Sequence, residues 1–194
     1  MSKNIASIII SSTLIFSFLG CSSEKTPNTS TGNTTIEKNT TQQQKSPADM
    51  TSRELVDVCT TDMATQFHIH SHLTIMADKK TIVIPKNVGI DLQKNCMSSV
   101  HTHDANGIIH IEAPVQKDFT LGDFFYKWNM PLSRTQVLTL KTDDTHGLKI
   151  YADGKEITDP ENLVMTDHQD IFISYYALKD GPDPLPAPFD WSEE

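Results

Sequence analysis

Two short segments of the chain carry six of its eight histidines. Together with the glutamate that follows the last of them, the set is His68, His70, His72, His101, His103, His110 and Glu112. Imidazole is the commonest protein ligand for zinc, and it also suits copper, nickel and iron. Three or four imidazoles, with or without a carboxylate, form a metal site of the open kind. The set therefore predicts a transition-metal site, for which we expect copper or zinc.

The spacing of the first three histidines indicates the element that carries them. From residue 67 to residue 75, four apolar residues alternate with histidines and a threonine, a period of two that is typical of a strand with one buried face. The apolar residues are Phe67, Ile69, Leu73 and Ile75. His68, His70 and His72 therefore lie on one polar face of a predicted strand. A turn at residues 78–80 leads to a second predicted strand over residues 81–84.

The second histidine segment predicts a hairpin between residues 100–102 and 108–113. A two-residue turn would place His103 opposite His110 and His101 opposite Glu112, whereas a four-residue loop would place His101 opposite His110. A three-residue loop with a bulge would send His110 and Glu112 to the other face. The alternating apolar positions favour a common face for the polar residues; they are Val100, Ile109, Ile111 and Ala113.

An alternative interpretation is that these histidines cover the solvent face of a sheet or form hydrogen bonds within a core. The chain contains no H-E-x-x-H motif, and the histidine spacing does not fit the cupin pattern. Six histidines at such positions nonetheless favour a metal or catalytic site over this alternative. His146 and His168 stand apart from the two segments, and we expect them to be surface residues.

The cysteines and the N-terminus predict an exported lipoprotein. Residues 1–20 have the features of a signal peptide, since their apolar stretch of about fifteen residues is shorter than the roughly 20 that span a bilayer. Phe18-Leu19-Gly20-Cys21 resembles the bacterial lipobox, which implies lipidation of Cys21. Residues 21–50 are polar and predict a disordered tether. We expect an extracytoplasmic domain anchored to the cell envelope by lipid, at the outer membrane facing the periplasm in a bacterium with two membranes.

The two remaining cysteines, Cys59 and Cys96, predict a disulfide, because exported proteins fold in an oxidising compartment. The alternative is that Cys96, five residues before His101, is a thiolate ligand of the metal. The net charge of −9 offers no basic patch for phosphates, so we expect no nucleic-acid partner. The acyl chains would then supply the affinity for the membrane.

Residues 51–178 predict one α+β domain, followed by an acidic, proline-rich tail at residues 179–194. Thr51 and Glu54 have capping-box spacing for a short helix, and residues 120–129 predict the main helix with an aromatic stripe that belongs to the core. The remaining strands are predicted at residues 137–141, 148–152 and 170–176. The sheet is mostly antiparallel, and its second half resembles the β-grasp fold of ubiquitin-like domains, preceded by an extra hairpin.

Residues 67–176 resemble a little-characterised family of exported or membrane-anchored microbial proteins. The resemblance rests on His68-x-His70-x-x-Leu73, Ile84-Pro85, Gly89-Ile90, His101-Thr-His-Asp104, Gly107-x-Ile-His-Ile-Glu112, Phe119-Thr-Leu-Gly-x-Phe-Phe125 and Trp128. It implies no activity, but it implies that the two histidine segments belong together.

These observations favour a metal-binding lipoprotein for metal handling or storage, with a metal-trafficking protein as a partner, over an enzyme. A metalloenzyme with Glu112 or Asp104 as general base is the first alternative. A non-metal interaction module whose histidines respond to acid pH is the second.

Overall fold

The computed structural model describes residues 45–61 and 66–193, all of which belong to one unit of the chain, residues 43–194. The predicted signal peptide, the predicted lipidation site Cys21 and most of the predicted tether lie outside these residues. No helix among the described residues is long and apolar enough to cross a membrane.

Most of the strands in the described part of the chain belong to one seven-stranded sheet. They are β1 (Phe67–Ala77), β2 (Lys80–Ile82), β5 (Val100–His101), β6 (Ile108–Ala113), β10 (His146–Ala152), β11 (Lys155–Glu156) and β12 (Gln169–Ala177). Short strands outside this sheet are β3 (Ile90–Asp91), β4 (Cys96–Met97), β7 (Leu132–Ser133), β8 (Gln136–Val137) and β9 (Leu140–Lys141). The order across the main sheet is β11-β10-β12-β1-β6-β5, and β2 also pairs with β1.

The predicted α+β class and the mostly antiparallel sheet are confirmed. The long strands β1 and β12 run parallel at the centre, with Leu73 opposite Ile171, and the other pairs of the sheet are antiparallel. The helix α2 (Leu121–Lys127) lies between the hairpin β5–β6 and the strands β10, β11 and β12 in chain order. After α2 and the short strands β7, β8 and β9, the chain therefore forms a strand, a short strand and a strand.

One face of the sheet forms the core with α2. Thr51 caps α1 (Ser52–Asp57) through the predicted capping box, and Thr120 caps α2 through a second capping box. The aromatic stripe of α2 is core as predicted, since Phe124 and Phe125 are buried. They belong to one apolar cluster with residues of the sheet, among them Leu73, Ile75, Ile109, Ile111, Ile171 and Ile173.

The predicted strand over residues 137–141 is two short strands, β8 and β9, and so that prediction was wrong in detail. Leu138 adopts a left-handed conformation with φ of 53° between them, and its amide donates a hydrogen bond to the Pro131 carbonyl. A left-handed residue cannot continue a strand, and this one is buried in the core, where packing outweighs the local cost.

The C-terminal tail lies against the second face of the sheet. The Ser174 hydroxyl on β12 is 2.8 Å from the buried Asp183 carboxylate. Further along, the Phe189 ring stacks on the His72 imidazole, with ring centroids 4.1 Å apart. The tail therefore covers the part of this face next to the histidines, and it has no regular secondary structure before the 3-10 turn Trp191–Glu193.

Cys59 and Cys96 form the predicted disulfide, with their Cα atoms 5.3 Å apart. The bond joins the segment after α1 to β4, and backbone hydrogen bonds between Thr60 and Met97 reinforce the junction. Cys96 is therefore not a thiolate ligand.

Replacing both cysteines, C59S/C96S, is expected to lower the free energy of unfolding by about 2–4 kcal/mol, because the unfolded chain gains the freedom of a long loop. Urea unfolding of the purified full-length protein measures the change. A reductant should lower the stability of the parent protein and leave that of the variant unaltered. Equal stability of the two proteins without reductant would contradict this expectation.

Candidate metal centre

The strand register brings the two predicted histidine segments together on the second face of the sheet. His70 on β1 lies opposite His110 on β6, and His110 lies opposite His101 on β5. Three imidazoles thus form a row across three neighbouring strands. In the adjacent row, His68 lies opposite Glu112.

The β5–β6 hairpin adopts the register that a four-residue loop would produce, one of the predicted alternatives, with His101 opposite His110. Only two residues of β5 belong to the ladder, so His103 lies beyond the end of the strand, in the loop that leads to β6. The polar residues still share one face, because Ile109 and Ile111 are fully buried on the other.

The ring nitrogens of neighbouring histidines lie close together. His70 Nε2 is 3.0 Å from His110 Nδ1 and 3.1 Å from His68 Nε2. At the other end of the cluster, His101 Nε2 is 3.2 Å from His103 Nε2. Nitrogen atoms bound to one tetrahedral zinc ion, at the usual bond length, lie about 3.3 Å apart. The spacing within each of these neighbouring pairs therefore fits two imidazoles that bind the same ion.

The donors fall into two groups, and within each group every donor atom lies within 4.8 Å of every other. The inner group is His101, His103, His110 and Glu112. The outer group is His68, His70 and His110. His110 belongs to both groups, so it is the central residue of the whole cluster.

His101 is the buried anchor of the inner group, with none of its surface exposed. Its Nδ1 lies 3.0 Å from the Ser98 carbonyl oxygen, which can only accept, so Nδ1 carries the proton. The lone pair is consequently on Nε2, the nitrogen that faces His103. A ligand histidine usually has such a hydrogen bond on its second nitrogen, because it sets the tautomer and the ring orientation.

Close packing of the backbone around His101 depends on Gly89. A Cβ atom on Gly89 would lie 2.4 Å from the Val100 carbonyl oxygen and 3.2 Å from the His101 Cβ, and its φ is +75°. The segment before β3 can therefore pass directly along β5. The Thr102 hydroxyl holds this segment in place. It donates a hydrogen bond to the Pro85 carbonyl and accepts one from the Val88 amide.

Burial lowers the pKa values of two imidazoles of the cluster. The pKa of His110 is lowered to about 3. Burial is the largest cause, and the four neighbouring histidines lower it further. Burial also lowers the pKa of His101, although the Ser98 carbonyl and the Glu112 carboxylate act in the opposite direction. Because a metal competes with protons for the same lone pair, the lowered pKa values of these two imidazoles favour metal binding.

Glu112 supplies the negative charge of the site. Its Oε1 atom is 3.2 Å from His68 Nε2 and 4.0 Å from His101 Nε2, so the carboxylate stands between the outer and inner groups. The side chain is only 14% exposed. A half-buried carboxylate beside neutral imidazoles attracts a cation more strongly than one in bulk water would, because screening is weaker there.

The loop before β12 positions His70 from the backbone. The His70 amide lies 3.2 Å from the Asp167 carboxylate, and its carbonyl accepts from the His168 amide at 2.7 Å. The Ser71 hydroxyl donates to the Thr166 carbonyl in the same loop. These bonds extend the pairing of β1 beyond its ladder with β12 and fix the backbone from which the His70 ring projects.

His72 lies outside both groups, although the sequence placed it with the other ligands. Its Nδ1 is 3.4 Å from the Asp170 carboxylate, and Phe189 covers its ring. A cavity of about 360 Å³ adjoins it, beneath residues 185–188 of the tail. His72 therefore joins the sheet to the tail. Asp104, the other general base considered, also lies outside both groups.

The two isolated histidines also lie outside the groups. His146 stacks on Tyr175 at the start of β10, and the largely exposed His168 stacks on Trp191 of the tail. The sequence alone did not indicate that Ser98, Asp167 and Gly89 orient the histidines. Ser98 acts through a backbone carbonyl and leaves no signal in a sequence, and Gly89 belonged to the resemblance without a role assigned to it.

Comparison with known proteins adds no assignment. No protein-family model matches the chain, and neither the curated proteins nor the solved structures contain a significant match. The cluster itself is a histidine and glutamate group that could hold a metal ion.

Proposed function

We propose that the protein binds a copper or zinc ion at the inner group and handles or stores that metal outside the cytoplasm. The observation that carries the proposal is the convergence of three imidazoles and one carboxylate whose donor atoms all lie within 4.8 Å of one another. Three nitrogens and one oxygen are a donor set that suits both ions.

The construction of His101 supports the proposal. The fully buried His101 has the Ser98 carbonyl on Nδ1, which leaves the lone pair on Nε2, 3.2 Å from His103 Nε2. A proton between two such nitrogens joins only two rings, whereas a metal ion accepts a lone pair from each of several rings. A bound cation satisfies all of these lone pairs at once.

Exposure of the cluster favours metal handling over catalysis. The side chain of His68 is 49% exposed, and His103 is also exposed at the opposite end of the cluster. An ion can therefore enter and leave without a large rearrangement of the chain. The cavity of about 360 Å³ adjoins His72 rather than the inner or the outer group. We infer that a second protein of the metal-trafficking kind, which offers its own ligands, exchanges the ion with this surface.

The location outside the cytoplasm is proposed from the sequence. A short apolar leader followed by Gly20-Cys21 supports export and lipidation, and the Cys59–Cys96 disulfide is consistent with an oxidising compartment. Lipid on Cys21 and a polar tether would hold the metal site at the membrane surface, facing the periplasm in a bacterium with two membranes.

The metal proposal predicts that H103A binds zinc and copper at least about tenfold more weakly than the parent protein. A tenfold change corresponds to about 1.4 kcal/mol of binding free energy. H103A removes an inner ligand from the protein surface, so the fold should remain intact. Metal analysis and thermal unfolding of the purified full-length protein, prepared without a polyhistidine tag or chelators, measure the effect. H146A is the matched control, because it removes a histidine that lies outside both groups. Absence of any zinc- or copper-dependent rise in melting temperature would refute the proposal.

The anchor proposal predicts that C21S moves the protein from the membrane fraction to the soluble fraction of a bacterial host. Fractionation followed by immunoblotting measures the distribution, and mass spectrometry of the N-terminal peptide tests for acyl chains on Cys21. C59S is the control, since it removes a different cysteine and should leave the protein with the membrane. Recovery of the parent protein in the soluble fraction would contradict the anchor.

A further inference from the structure

We propose that the cluster binds two metal ions at once, one in the inner group and one in the outer group, with the His110 ring between them. The inference rests on the proposed function and extends it from one ion to a pair. It concerns His68 and His70, which the single-ion proposal does not use.

The spread of the donors is the first argument. Atoms on opposite sides of one ion, each bound at about 2.1 Å, lie no more than about 4.2 Å apart. The six donor side chains do not form one group even at a limit of 4.8 Å, and they divide into a set of four and a set of three. One ion therefore leaves His68 and His70 without a role, whereas two ions use every member of the cluster.

The position of His110 is the second argument. Its Nδ1 lies 3.0 Å from His70 Nε2 in the outer group. The His110 ring centroid is 4.6 Å from those of both His70 and His103, so the ring lies between the two groups. In the two-ion arrangement the outer ion takes Nδ1 and the inner ion takes Nε2. A neutral imidazole has one free lone pair, so binding of both ions requires loss of the remaining N–H proton to solvent. The two positive charges compensate the imidazolate anion that results.

Glu112 and the burial of His101 make the inner position different from the outer one. The inner ion has four ligands, among them the carboxylate and the fully buried His101. The outer ion has three imidazoles, and His68 leaves it open to solvent. The Glu112 oxygen, 3.2 Å from His68 Nε2, lies close enough to stabilise the outer ion electrostatically. The outer position is therefore the weaker one, and it has a free coordination site for a ligand from solvent or from a partner protein.

Titration of the purified full-length protein with Zn²⁺, followed by a chromophoric chelator in competition, tests the inference. The parent protein is expected to bind two equivalents, the second about tenfold or more weakly than the first. In H68A/H70A the weaker class should disappear and the tighter class should persist. H68A alone, which changes an exposed side chain, should weaken the second class if the double variant does not fold. H146A should retain both classes.

A second readout uses Cu²⁺ and electron paramagnetic resonance. Two copper ions joined by one imidazolate couple magnetically. The parent protein loaded with two equivalents should therefore show a smaller signal than its copper content predicts. H68A/H70A loaded with one equivalent should show the whole signal expected for its copper. One equivalent in the parent protein would overturn the two-ion inference and leave the proposed function intact, whereas no binding would overturn both. Two equivalents that persist in H68A/H70A, or loss of the tighter class in that variant, would also overturn the inference.

Discussion

The register of β1, β6 and β5 is the constraint on which the site depends. Side chains alternate between the two faces of a strand, so a shift of one residue would send His110 into the core and bring Ile109 and Ile111 to the surface. Several fully buried aliphatic side chains on the other face make such a shift costly. The apolar core against α2 thus determines where the imidazoles lie, even though it contains none of them.

Burial of His101 shows how the rest of the fold supports this row. A buried imidazole is costly unless its polar atoms are bonded, and the Ser98 carbonyl provides one bond. Ser98 is itself held to α1, since its hydroxyl donates to the Val56 carbonyl, and the disulfide at Cys96 joins the same two segments. α1, the disulfide and β4 thereby help to position His101, although they supply none of the donor side chains.

Much of this arrangement follows from local patterns in the sequence. Alternation predicted the strand of His68 and His70, the apolar pattern predicted a common face for His101, His103 and His110, and cysteine counting predicted the disulfide. The pairing of β1 with β6 was not predictable in the same way, because it joins residues about forty positions apart and depends on packing of the whole sheet. The place of His72 depends on the tail, whose Phe189 lies far away in sequence. The turn at Leu138 arises from tertiary packing that outweighs strand propensity.

The central claim is that a transition metal binds between the inner ligands, and crystals grown with zinc test it most directly. Anomalous diffraction at the zinc absorption edge locates the metal without reference to any other assumption. The account predicts the strongest anomalous peak at about 2.1 Å from His101 Nε2 and His103 Nε2, with His110 and Glu112 completing the coordination. A strongest peak at His146, at His168 or on the tail, with no peak among the inner ligands, would contradict it.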